Sequence, residues 1–260
     1  MSTATRARLA AMLDDPSLDL AEANLLISAE ASPGLDIGAW LERVDRLAAG
    51  AAREGVVTAL RAEGLRGDAE DYDDPRNSFL DQVLERRRGL PIALATLTLA
   101  VARRAGAPME GIGMPGHFIV AETGGRQATY LDPFAGWERR TAAELAEIVR
   151  RTSGLDLRPE FLAPVSDRAI LARTLANLRG SYLRRRRLGD ALWTVELGLV
   201  LAPGDRGLES SAIGLLTATG RYAEAEERAS AFLAADPAHP EAAAVEERRD
   251  AARDMRRRMN

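Results

Sequence analysis

The 260-residue sequence contains no cysteine and no lysine. Without thiols there are no disulfides, no thiolate metal ligands, no redox switch and no cysteine nucleophile. Without lysine there is no Schiff-base chemistry, and all 35 basic residues are arginine. Histidine occurs only at His117 and His239, so a histidine-rich metal site is excluded. Aromatic residues are few, at 5%, and none interleave the arginine runs. The mildly negative net charge, -4, argues against a general nucleic-acid binder. Long apolar runs are also missing. The longest, Leu90 to Ala102, is too short to span a bilayer and reads as a buried helix. The stretch from Met1 to Arg8 leads into no apolar signal-peptide core. Together these absences point to a cytoplasmic protein in a reducing compartment.

What is present divides into an α+β part, residues 1–160, and a helical part, residues 161–260. The first seventy residues alternate helical stretches with the turn signals Asp14-Asp15-Pro16-Ser17 and Ser32-Pro33-Gly34. Leu20, Asn24 and Ile27 mark one helical stripe, and Trp40, Val44 and Leu47 another. Gly64 to Asp74 reads as an acidic loop. Ser78-Phe-Leu-Asp81 looks like a helix start with Ser78 as its cap. Arg86, Arg87 and Arg88 suit that helix's negative end, with Gly89 as a left-handed cap. Pro91 then fits the first turn of the next helix, where its missing N–H costs nothing. Strands are expected over Met109 to Met114, His117 to Glu122 and Gln127 to Leu131, the last two joined by a Thr123-Gly-Gly-Arg126 hairpin. Thr141-Ala-Ala-Glu144 is a capping box opening a helix through Arg150, and Leu155 to Pro164 reads as a linker.

The helical part repeats itself. Ala191 recurs as Ala225 and Pro203 as Pro237, both at an offset of thirty-four residues, the tetratricopeptide period. Tyr182, Gly220 and Tyr222 fit the same pattern. Two such repeats bury little alone, so a tail helix over Glu241 to Arg257 or the first domain is expected to complete them.

The chemistry-bearing segments are Leu84-Glu-Arg-Arg-Arg-Gly89, Pro91-Ile92, Pro115-Gly-His117-Phe118 and Asp132-Pro-Phe134. A histidine on one segment and an aspartate on the next, after a buried helix, is the chain order of a papain-like Cys-His-Asp site. The order resembles the transglutaminase-like superfamily, and more closely its bacterial SirB-one type, in which a helical repeat pair follows. The resemblance implies a papain-like α+β domain with a central helix against a small antiparallel sheet. It places His117 and Asp132 as a triad's orienting pair, on adjacent antiparallel strands near the start of the central helix. It puts Pro91 where the nucleophile would stand, and Arg88, Gly116, Phe118, Phe134 and Trp137 as candidate cleft residues. The cysteine is generally missing from that type, as here.

Other readings are weaker on the residues themselves. Ser78, Thr96, Thr98 and Thr129 are poorly placed as substitute nucleophiles. One histidine with Asp132 and a distant carboxylate is a poor metal set. Gly111, Gly113 and Gly116 open no helix, so they form no dinucleotide fingerprint and no cofactor is implied. The arginine runs Arg86–Arg88, Arg184–Arg187 and Arg256–Arg258 read as helix ends, and His239 as an exposed loop residue. The function expected is a catalytically silent module that binds a protein or peptide through its cleft and repeats. The alternatives are a hydrolase or acyl-transferase of altered chemistry using His117 and Asp132, and a regulator of gene expression.

Overall fold

The computed structural model of the protein describes residues 3–13, 15 and 18–259. Most of the turn expected at Asp14 to Ser17 lies outside them, as does the extreme N-terminus. The chain divides into two compact units, Met1–Thr174 and Leu175–Asn260. The division falls later than the expected end at residue 160, inside a helix, α8 (Asp167–Arg184). The first half of that helix is tied into the first unit. Arg103 grips Asp167 with two bonds of 2.7 and 2.6 Å, and Arg173 donates to the His117 carbonyl at 3.0 Å.

The first unit is a mixed α+β domain. It opens with α1 (Thr3–Leu13), α2 (Leu20–Ala31), α3 (Ile37–Glu54) and α4 (Val56–Ala62). Asp19 caps α2 by accepting from Ala21 N–H and Glu22 N–H. The expected stripe of Leu20, Asn24 and Ile27 is buried, as is Val44 on α3. After β1 (Arg66–Gly67) come a 3-10 turn (Pro75–Asn77), α5 (Leu80–Arg86), β2 (Arg88–Gly89) and α6 (Pro91–Arg104).

Pro91 opens α6, and Pro91 to Ala102 are all buried. The reason is position: α6 packs against α2, α3, α4 and α5 and against β3 and β4. A leucine fully removed from water contributes roughly 1.5–3 kcal/mol, so a helix whose only polar side chains before Arg103 are Thr96 and Thr98 belongs at the centre.

Two local readings around α5 are corrected. Ser78 does not cap it. The Asp74-Pro75 turn ends on Ser78 in helical geometry, and Phe79 takes the extended cap position without a side-chain bond. The Ser78 hydroxyl is left buried and unbonded. Gly89 is not the left-handed cap either; Arg87 takes that role at φ 58°. The chain then turns into β2, where Gly89 pairs in parallel with Gly67. A Cβ at Gly89 would lie 2.9 Å from Val83, so packing demands the glycine. The acidic loop is also less open than expected. Asp68 and Asp74 are buried, and Arg86 reaches both, at 3.2 and 3.8 Å.

A four-stranded antiparallel sheet follows, in the order β3-β4-β5-β6. The strands are β3 (Met109–Ile112), β4 (Ile119–Glu122), β5 (Thr129–Asp132) and β6 (Glu138–Arg140). The first three are shorter than expected but in place. β6 had no sequence signal, because Glu-Arg-Arg shows neither alternation nor β-propensity. One sheet face packs on α7 (Ala142–Ser153) through Ile112, Ile119, Ala121, Leu145, Ile148 and Val149. The capping box at Thr141 and Glu144 is complete. The expected linker holds a 3-10 turn (Pro159–Leu162), and its Pro164 bridges to Ile112 on the outer edge of β3.

The second unit is helical: the end of α8, α9 (Leu188–Leu201), α10 (Arg206–Ala218), α11 (Tyr222–Ala235) and α12 (Ala242–Met259). Successive helices from α9 to α12 pack on one another, and α12 also packs on α10. Ala191 and Ala225 are fully buried, as small residues must be where helices approach closely. Ile213, Ala229, Phe232 and Val245 form a core that the tail helix closes. His239 lies in a loop as expected but is half-buried rather than exposed. Its ring stands edge-on to Phe232 at 5.2 Å, and Nδ1 accepts from Glu241 N–H.

Candidate functional site

The site forms where three short segments converge beside α6. The Pro115-Gly116 turn presents His117. Gly116 has φ 72°, in the region that favours glycine, and Thr152 donates to the Pro115 carbonyl at 3.0 Å. His117 lies just before β4, outside the strand proper. At the other side β5 ends in Asp132, 4% exposed.

His117 Nε2 and Asp132 Oδ1 are 3.0 Å apart, a hydrogen-bonded pair. The same carboxylate oxygen accepts from Phe134 N–H at 3.1 Å and Ala135 N–H at 3.4 Å, capping the 3-10 turn Pro133–Ala135. Oδ2 lies 3.6 Å from Arg140 Nε. Burial pushes the Asp132 carboxyl up, but the bond and charge of His117, the charge of Arg140 and the Ala135 N–H outweigh it. The carboxyl is held below its ordinary value. The pair therefore holds an ionised aspartate that orients the imidazole through Nε2, leaving Nδ1 for any further partner.

The backbone after Asp132 is held from two sides. Trp137, at φ 60°, donates its N–H to the Asp132 carbonyl at 2.7 Å and its indole N–H to Thr98 of α6 at 2.9 Å. Arg61 of α4 donates to the carbonyls of Gly136 (2.7 Å) and Trp137 (3.1 Å). Phe134 stands edge-on to His117 on one side and to exposed Tyr72 on the other, at 6.4 and 5.9 Å between centroids. Gly67 makes that possible: a Cβ there would lie 2.5 Å from the Phe134 carbonyl oxygen.

The candidate cleft residues separate into two groups. Gly116 and Phe134 border the His–Asp pair. Phe118 and Trp137 are 2% and 1% exposed, so they belong to the core and not to the rim beside the pair. Burial follows from their partners, Arg173 over the Phe118 ring and Thr98 beneath the indole. Arg88 is paired with Glu70 at 2.8 Å. Pro91 is buried at the first turn of α6. Neither Ser78 Oγ nor Thr96 Oγ1 has any hydrogen-bond partner, and Thr98 is committed to Leu94 and Trp137. No hydroxyl among these three is therefore bonded to His117. Arg61, Tyr72 and Arg173 carry no local signal because their contacts span more than fifty residues, and Arg140 carries none because it reaches Asp132 only through the pairing of β5 with β6. Among the described residues no three His, Asp or Glu side chains gather as a metal site, and no helix is long and apolar enough to cross a membrane.

A buried central helix, a small antiparallel sheet and a His–Asp pair at their junction define a transglutaminase-like domain. A profile described as the transglutaminase-like superfamily matches residues 40–176, and the chain belongs to that superfamily. It is 33% identical over 228 residues to a UPF0162 protein of Xylella fastidiosa, covering 78% of this chain and 81% of that protein. It is 37% identical over 144 residues to one from Vibrio cholerae, covering 55% of this chain and 53% of that one. Mouse F-box only protein 21 is 29% identical over 122 residues, which is 44% of this chain and 19% of the mouse protein. No solved structure matches. With no cysteine anywhere, the chain lacks the superfamily's usual nucleophile.

Proposed function

We propose that this is a SirB-one-type protein that has given up catalysis and works as a protein- or peptide-binding module. The observation that carries the reading is a hydrogen-bonded His117–Asp132 pair in a chain with no thiol to activate. A histidine base alone supplies only about 10²–10⁴-fold, so an oriented imidazole without a nucleophile is a weak catalyst. The rim of exposed Tyr72 and half-buried Phe134 beside the pair suits an aromatic or aliphatic side chain of a bound peptide. The second unit adds helical hairpins of tetratricopeptide type, a reading supported by α9 and α11 beginning thirty-four residues apart. Such repeats offer extended helical surfaces to partners. We place the protein in the cytoplasm because it forgoes cysteine altogether.

The test has two arms. Purified protein is expected to show no amine incorporation and no amide cleavage, and activity abolished by His117→Ala would overturn the reading. A displayed peptide library is expected to yield binders whose affinity falls at least tenfold on Phe134→Ala or on substitutions along the second unit's helices. Selected peptides indifferent to all of these would count against it. A third variant locates the lost nucleophile. Pro91→Cys places a thiol at a helix N-terminus, which lowers its pKa. It is expected to react with iodoacetamide faster than free cysteine, and His117→Ala to slow it; an inert thiol would remove Pro91 from that position.

A further inference from the structure

A cavity of about 560 Å³ opens beside the sheet between α4 and β6, with apolar lining from Val57, Leu131 and Trp137. That volume is in the range of small-ligand sites, about 300–1,000 Å³. Six charged residues also line it, and four have their charges engaged within the protein. Arg61 is bound to the carbonyls of Gly136 and Trp137. Arg140 lies against Glu138 at 3.1 Å and Glu144 at 3.7 Å, besides Asp132. Glu144 is further held in the Thr141 capping box. The two that remain, Glu122 and Arg139, have no side-chain partner among the described residues, and they are of opposite sign.

The register places these two charges. Val120 pairs with Leu131 and Leu131 with Arg139, forming one row across β4, β5 and β6. Glu122 lies two residues along β4, and so on the same sheet face as Val120, Leu131 and Arg139. Two strand spacings sideways and one two-residue repeat along the strand put the Glu122 and Arg139 Cα atoms roughly 12 Å apart. The charged heads reach toward the cavity from both ends, with Leu131 between them. A ligand that satisfies both needs an ammonium and a carboxylate separated by several ångströms of largely apolar body. A single α-amino acid is too short. An extended chain spans about 3.3–3.6 Å per residue, so two to three residues fit.

We propose that this cavity is a binding site for a short peptide with both termini free, its ammonium at Glu122, its carboxylate at Arg139 and an apolar side chain against Leu131 and Val57. The site is distinct from the rim around His117 and does not depend on how that rim is read. Arg140 is the contact between them, since it lines the cavity and lies against Asp132. Blocking either end removes a charge-assisted contact to Glu122 or Arg139, so the pocket discriminates against blocked peptides.

The experiment titrates the full chain with Ala-Leu-Ala, its N-acetylated form, its C-amidated form and the doubly blocked form, read by calorimetry. Saturable binding of the free tripeptide is expected, weakened at least tenfold by either block. In Arg139→Gln the penalty for C-amidation is expected to vanish while that for N-acetylation persists; Glu122→Gln is expected to do the reverse. The blocking arms use the unaltered protein, so the answer does not depend on the variants folding. No saturable binding at millimolar tripeptide, or binding indifferent to both blocks, overturns the proposal. Loss of selectivity for the wrong end in either variant overturns the assignment of the two charges.

Discussion

In the first unit several arginines reach inward to hold buried groups near the site, and in the second many pair along exposed helices. Arg86 spans buried Asp68 and Asp74 and the Asn77 side chain, Arg61 holds two carbonyls of the turn after Asp132, and Arg173 holds the His117 carbonyl beneath a covering of protein. Burial lowers the Arg173 pKa, a sign of how far its guanidinium is removed from water. In the second unit Arg187 pairs with Asp190, Arg221 with Glu224 and Arg249 with Glu246, each one turn away on an exposed surface. Arg206, stacked on Phe232 at 3.4 Å, Arg228, paired with Glu196 at 2.8 Å, and Arg248, bonded to Ser210 at 2.9 Å, are exceptions. A chain without lysine has assigned one residue type to two tasks. The inward arginines replace secondary structure as the means of fixing irregular backbone near the site. The outward ones pair with carboxylates one turn away along their own helices.

The comparison is broken most severely at Arg86. Arg86→Ala leaves Asp68 buried without its cation, while Asp74 keeps Arg76 at 2.6 Å, and the loss is expected to cost about 3 kcal/mol. Urea unfolding followed by tryptophan fluorescence checks it, and a loss below 1 kcal/mol would remove the buried pair from its structural role. Next is Arg61→Ala, which frees two carbonyls from charge-assisted bonds. About 2 kcal/mol is expected, with the environment of Trp137 altered. Near-ultraviolet circular dichroism separates this from a uniform loss of stability.

Asp132→Asn is expected to cost on the order of 1–2 kcal/mol at neutral pH, from weakened bonds to His117 and the turn. The pH dependence has a defined sign. Because the native carboxyl titrates below its unfolded value, its contribution is present above about pH 3.9 and is lost as pH falls through the lower native value. The gap between variant and parent should therefore close in acid. A gap constant from pH 7 to pH 2 would contradict the ionised pair. At the small end, Arg221→Ala in the second unit is expected to change stability by less than about 0.5 kcal/mol, because its pair with Glu224 is exposed. A larger change in thermal midpoint would show that the outward arginines also carry structure.

Much of the site's framework was legible in the chain. Pro91 at the head of a mostly apolar run located α6, because proline geometry and hydrophobic patterning are local properties. The Thr141 box was readable for the same reason. His117 and Asp132 were paired on motif order, and the structure places them 3.0 Å apart. The failures also share a cause. Ser78 carries a capping residue's chemistry, yet its backbone is claimed by the preceding Asp74-Pro75 turn. Gly89 looks like a helix terminator, yet Val83 and the pairing with Gly67 require it. The charged β6 has no strand signature, because its place comes from register with β5.

By itself, then, the sequence determined which chemistry is absent, where the central helix starts, and which two side chains could form an acid–base pair. Those depend on residue type and on spacing along a few turns. Only the tertiary structure decided that Phe118 and Trp137 are core, that Arg61 and Arg173 hold the site's backbone, and that Glu122 and Arg139 share one cavity. Each of those depends on groups that only the packing of separate elements brings side by side, which residue type and local spacing do not encode.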